Sequence, residues 1–146
     1  MKQRGWLERG AVPSQRTFDA ALRLRGAIRD YLKCEPADCH RKPAIIEALT
    51  GAMAPFSLRV AEGGKGGMKL LSAEAGVQAG LSPIVAEIYD GSANSTLDRV
   101  KTCAADECQR VFFDRSKPGT RRWCQSALCG NRQKTRTYRE RQKREA

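Results

Sequence analysis

The sequence predicts an α+β fold in two parts: a small, mainly helical N-terminal domain that carries one β-hairpin, and a C-terminal module that ends in a basic helix. Apolar residues recur at helical spacing through the first third of the chain, and two short alternating runs flank a glycine cluster near its middle. Near the C-terminus four cysteines, Cys103, Cys108, Cys124 and Cys129, form two Cys-x4-Cys pairs separated by fifteen residues. Helical period, strand alternation and paired thiols each point to a different kind of element.

From Ser14 to about Leu32, Phe18, Ala21, Leu22, Ile28, Tyr31 and Leu32 recur at helical spacing, while Arg16, Arg23, Arg25 and Arg29 occupy other positions. The pattern predicts an amphipathic helix with its apolar stripe in a core and its arginines in solvent. A turn is expected over residues 35–38. Pro43 suits the first turn of a second helix with Ile45, Ile46, Leu49 and Met53 facing inward, closed by Gly51 and Pro55. Residues 56–61 and 68–71 alternate apolar and polar side chains around the glycines of 63–67, which predicts a hairpin. That glycine run lacks the Lys-Ser/Thr that a phosphate-binding loop needs before its helix. Ser82 as N-cap and Pro83 as first helical residue predict a third helix carrying Ile84, Val85, Ile88 and Tyr89, with a break over residues 91–95.

In the C-terminal module, two thiol pairs at this spacing are the pattern of a small fold closed by one tetrahedral, four-thiolate Zn2+ per chain, with Cys103, Cys108, Cys124 and Cys129 as ligands. Residues 110–114 have strand character, 116–120 are turn chemistry, and 121–123 lead back to Cys124, so a hairpin is expected between the two ligand pairs. Phe112 and Trp123 are expected to pack against the metal. Residues 131–145 contain no glycine or proline and are rich in Arg, Lys and Gln, which predicts a helix starting at or just after the last ligand. First pair, hairpin, second pair at a helix start is the order of a treble-clef-like finger. The domains are therefore drawn at residues 1–95 and 97–146. Cys34 and Cys39 repeat the x4 spacing beside His40, but three donors at a helix end make free thiols the default reading.

The chain of 146 residues has 27 Lys+Arg against 16 Asp+Glu, a net charge of +11, which argues for a polyanionic partner. Fourteen of the cations and six of the acids lie in residues 97–146, so the excess belongs to the C-terminal module. Arg132, Arg136, Arg139 and Lys143 fall on one face of the terminal helix, flanked by Lys134 and Arg141, while Arg115, Arg121 and Arg122 add charge on the adjoining hairpin. These nine are the expected nucleic-acid contacts, with DNA first and RNA third for want of exposed aromatics. The second reading is a redox-sensing or protein-interaction module in which oxidation releases the metal.

Catalysis has little support: His40 is the lone histidine, no nucleophile has an evident base, and four thiolates leave zinc no open position. No window has the run of apolar residues that a membrane span needs, and residues 1–7 lack the apolar core of a secretory signal, so a cytoplasmic, nucleoid-associated protein is expected.

Cys129-Gly130-Asn131-Arg132, with Phe113-Asp114-Arg115-Ser116, Arg121-Arg122-Trp123-Cys124 and Cys108, resembles the CGNR zinc-finger family over residues 97–138. The resemblance implies that the four cysteines hold zinc and that the module binds DNA. Trp6-Leu7, the arginine-rich helix around residues 22–31 and Leu97-Asp98-Arg99 more loosely resemble the ABATE domain that accompanies this finger in proteins labelled bacterial stress-induced transcription regulators. On that likeness the domain would lack an N-terminal piece, so either its start is abbreviated or a partner covers the surface. Sensing or homodimerisation is its expected role. Within the motif, Gly130 is expected to allow a tight turn beside the metal and Asn131 to be an N-cap. Arg132 has two readings, a pair with Asp114 or a phosphate contact.

Overall fold

The computed structural model describes residues 12–33, 43–63 and 66–145. Trp6, Leu7, Cys34, Cys39, His40 and the turn expected over 35–38 lie outside them. The chain divides into two compact units, Met1–Leu97 and Asp98–Ala146. The fold is α+β. The first unit runs α1 (Gln15–Lys33), α2 (Pro43–Met53), β1 (Leu58–Gly63), β2 (Gly67–Ser72) and α3 (Gly76–Ala93). No helix among the described residues is long and apolar enough to cross a membrane.

Ser14 caps α1 by accepting a hydrogen bond from the Thr17 backbone N–H on its Oγ (3.2 Å). Ala20 and Leu24 face the core and Ile28 extends their line, but Phe18 and Leu22, expected in the stripe, are 49% and 47% exposed. The helix has two apolar lines, and at about 100° per residue Phe18 and Leu22 lie on the side away from Ala20 and Leu24. Phe56 decides which line is buried. It is fully buried, packed with Ala20 and Leu24 and ringed by Ile28, Ala52, Met53, Leu81, Ile84 and Val85. A turn closed by Phe56 N–H to Met53 C=O (2.9 Å) directs it inward, so Phe56 precedes the strand in which sequence alternation had placed it. On α2 Leu49 is buried, whereas Ile46 is 41% exposed.

The hairpin forms as expected, antiparallel with Val60 opposite Leu70 and Gly63 opposite Gly67. A Cβ at Gly63 would come within 3.0 Å of the Gly67 carbonyl oxygen, so the close approach of the two strands requires glycine there. The third helix departs from expectation. It starts at Gly76, ahead of Ser82 and Pro83, and both lie within it. Ser82 is fully buried, and its hydroxyl pairs with Ser72 Oγ at 2.8 Å, joining α3 to the end of β2. It is therefore a core polar pair and not an N-cap. The helix also runs through the break expected at residue 91, to Ala93, where Asn94 N–H bonds Asp90 C=O (3.0 Å).

In the second unit β3 (Val100–Thr102) pairs antiparallel with β4 (Val111–Phe113), with Lys101 opposite Phe112. A π-helical turn, Ser126–Gly130, then leads into α4 (Asn131–Glu145). The hairpin thus carries the first ligand pair in its own loop and does not link the two pairs, as the strand character of residues 110–114 and the return at 121–123 had implied. The partner of β4 lies upstream, in residues 100–102, for which the sequence shows no strand signal.

Candidate metal centre and basic helix

The β3–β4 hairpin ends in a knuckle. Cys103 N–H bonds Arg110 C=O (2.8 Å) and Cys108 N–H bonds Ala105 C=O (2.9 Å), folding residues 103–110 back on themselves. Gln109 adopts φ of 51°, a left-handed conformation uncommon outside glycine, and the Arg110 backbone N–H donates to the Cys108 sulfur. The second pair arrives from the helix side: Cys124 precedes the π turn and Cys129 lies within it, its N–H on Gln125 C=O (2.9 Å). All four sulfurs lie within 4.8 Å of one another, with Cys108 and Cys124 Sγ 3.7 Å apart and Cys124 and Cys129 Sγ 3.8 Å apart.

Those separations fit one ion. A tetrahedron with Zn–S bonds of about 2.3 Å has edges of about 3.8 Å, far longer than a disulfide bond of about 2.05 Å. The donor set is all sulfur, which selects zinc over oxygen-seeking cations. Cys103, Cys124 and Cys129 are buried and Cys108 is half-buried, with Phe112 and Trp123 packed on the cluster as expected. The sulfurs are not equivalent. The Arg110 N–H pulls Cys108 down to about 7, whereas Cys108 beside it and burial push Cys129 up to about 12, and burial pushes Cys124 up. Cys108 ionises readily while Cys124 and Cys129 resist following; a divalent cation among the sulfurs removes that resistance.

Asp114, fully buried, organises the turn after β4. Its carboxylate accepts from Ser116 N–H (2.9 Å), Ser116 Oγ (2.6 Å), Arg121 N–H (2.8 Å) and Lys101 Nζ (3.1 Å). The partner is therefore Lys101 and not Arg132. Led by the Ser116 hydroxyl, these donors hold Asp114 well below the usual carboxylate range. Because the folded pKa is depressed, the stabilisation is complete above the unfolded value of about 4 and is lost progressively as pH falls from there through the lower folded value. Asp114→Asn is thus expected to lower the melting temperature of the finger by a constant decrement across the range from pH 8 to 5 in which zinc stays bound. Thermal melts across that range check it.

Several cations are committed to this framework. Arg99 donates to Ser116 C=O (2.8 Å) and Asp114 C=O (3.3 Å), and Lys101 also donates to the Gly119 carbonyl. Arg121, expected among the nucleic-acid contacts, is turned inward: its guanidinium donates to the Trp123 (3.0 Å) and Cys124 carbonyls and lies over the Phe112 ring. Arg115 and Arg122 are exposed, the latter over the Trp123 ring at 5.5 Å. The roles of Asp114, Arg99 and Lys101 were missed in sequence, although Asp-x-Ser is a side-chain-to-backbone turn signal.

On α4, Arg132, Lys134, Arg136, Arg139, Arg141 and Lys143 are all exposed, and no residue of the helix is buried. Arg136 pairs with Glu140 (3.1 Å) on its own helix and with Asp106 of the knuckle (3.8 Å). Asn131 is not an N-cap. It has helical dihedrals, φ −69° and ψ −39°, and its N–H continues the ladder to Ser126 and Leu128, so the true start is at Gln125. Gly130 likewise needs no unusual φ; the Trp123 ring covers it, 3.6 Å from where a Cβ would sit.

A hairpin whose loop supplies the first cysteine pair and a helix start that supplies the second make a treble-clef-like zinc finger, with the hairpin around the first pair and not between the pairs. Residues 99–142 match the family model described as CGNR zinc finger, and the four cysteines of this segment are placed to hold one zinc ion. No curated protein matches the chain.

Proposed function

We propose that the Asp98–Ala146 unit binds duplex DNA and that the protein is a cytoplasmic, nucleoid-associated regulator of bacterial transcription, a binding protein and not an enzyme. One observation carries this reading. Helix α4 has seven cations against two acids, buries no residue, and is tied through Cys129 to the metal centre. A polar, exposed helix of this length is marginal in water by itself, and a polyanion supplies the counter-charge it lacks. The N-terminal unit, on its ABATE-like residue pattern, is proposed to sense a signal or to dimerise.

Recovery of nucleic acid crosslinked to the protein in cells tests the reading. Enrichment of discrete DNA segments is expected; RNA, or nothing, would contradict it. In solution, Arg139→Gln with Lys143→Gln is expected to weaken duplex binding and to make the slope of log K against log salt shallower by up to about 2. A change at Arg136 should cost less, because Asp106 and Glu140 already engage it.

The half-buried Cys108 favours the second reading. It borders a cleft with Arg110, Arg132 and Arg136, where an oxidant can reach a zinc thiolate. Zinc release by mild peroxide that tracks gain or loss of a protein partner would put this reading first.

A further inference from the structure

The residues of α4 fall into rows. Asn131, Thr135, Tyr138 and Gln142 are spaced i, i+4, i+7 and i+11, which places them along one face. One residue further on, about 100° round the helix, runs the row of Arg132, Arg136, Arg139 and Lys143. One residue back, about 100° the other way, runs the row of Gly130, Lys134, Thr137 and Arg141. The middle row is uncharged, consists of hydrogen-bonding side chains and is exposed throughout, with Tyr138 at 65%. It lies opposite the side that turns toward the finger, where Gln133 is half-buried.

Cations flank the ridge on both sides. On one side Arg136 is drawn to Asp106 and Glu140 and Arg132 borders the Cys108 cleft, leaving Arg139 and Lys143 as an outward wall. On the other, Trp123 packs on Gly130 and carries Arg122 over its ring, which continues the line of Lys134 and Arg141 past the start of the helix. An α-helix about 10–12 Å across fits the major groove, about 12 Å wide. With cations on both flanks it can meet the phosphates of two strands, while whatever lies between them faces the base edges. Asn and Gln amides are the side chains that pair bidentately with adenine, and an aromatic edge can contact the thymine methyl.

We infer that the Asn131 row is the base-reading ridge of a helix seated in the major groove, with the cationic rows on the phosphates of opposite strands. The inference rests on the DNA-binding reading and adds the residues that would make it sequence-selective, with a preference for A·T pairs at the positions read. Asn131 is the most firmly held of the four, two residues beyond Cys129 and with its N–H bonded to Ser126 and Leu128. Thr135 Oγ1 donates to Asn131 C=O (3.0 Å), which leaves its lone pairs to accept from a base.

The test is selection from a randomised duplex library with the full zinc-loaded chain, then titration of the selected and a scrambled duplex. Asn131→Ala and Gln142→Ala, each checked for zinc content and helicity, are expected to lose on the order of tenfold to a hundredfold on the selected duplex only, with the salt slope unchanged. Arg139→Gln with Arg141→Gln should instead weaken both duplexes alike and flatten the slope. If Asn131→Ala loses zinc, Gln142→Ala, three turns away, decides. A wild-type chain that binds duplex without preference, or ridge variants that keep the preference, would overturn this inference and leave DNA binding standing. A wild-type chain that binds no duplex at low salt, or prefers single-stranded RNA, would overturn the DNA reading itself.

Discussion

Cys124→Ser is expected to empty the metal site and unfold the Asp98–Ala146 unit while residues 12–33, 43–63 and 66–97 keep their structure. Without metal, the hydrophobic cluster around the cysteines consists of Ala105, Phe112 and Trp123, and the hairpin has three-residue strands. So small a core cannot offset the entropy of ordering nearly fifty residues, whereas structural zinc contributes about 10–16 kcal/mol at neutral pH in small fingers. Because the ligands must be deprotonated, zinc should also be lost progressively as pH falls. Elemental analysis should give about one zinc per wild-type chain and none for the variant. Amide exchange followed by mass spectrometry should show loss of protection over β3, β4 and α4 alone. Retained zinc, or a finger that stays protected without it, would contradict the assignment.

Phe56→Ala should do the converse. Phe56 is fully buried and fills the space among Ala20, Leu24, Leu81 and Ile84, so its truncation removes the centre of the first unit's core at a cost of about 3–5 kcal/mol. That is a large share of the stability of a unit this size. Unprotected amides across α1, α2 and α3, with zinc still bound at one per chain, is the expected pattern. If the variant instead released zinc while its N-terminal amides stayed protected, the division into two separately stabilised units would fail.

The ligands were legible because metal chemistry acts on spacing: the repeated Cys-x4-Cys and the basic run after Cys129 are both local. The helices of the first unit were legible from their period, but which face is buried was not, since Phe18 and Leu22 make as good a line as Ala20 and Leu24 until Phe56 is placed against one of them. Ser82 and Pro83 carried the signals of a helix start and misled. The two glycines among residues 76–80 hid a helix already under way, and the partner that draws Ser82 into the core, Ser72, lies ten residues upstream. Strand β3, three residues long, is too short to show alternation. The destination of each cation is equally a tertiary matter, and nothing local separates Arg121, turned onto carbonyl oxygens, from Arg122 beside it in solvent.

If zinc holds a cationic helix in place to bind duplex DNA, the anisotropy of a labelled duplex titrated with the zinc-loaded full chain at several salt concentrations, with and without a chelator, should report it. Five or six neutralised phosphates predict a slope of log K against log salt of roughly −5, and removal of zinc should abolish binding at low salt. A folded, zinc-loaded chain that leaves the duplex unbound at low salt, or whose binding is indifferent to both salt and chelation, would contradict it.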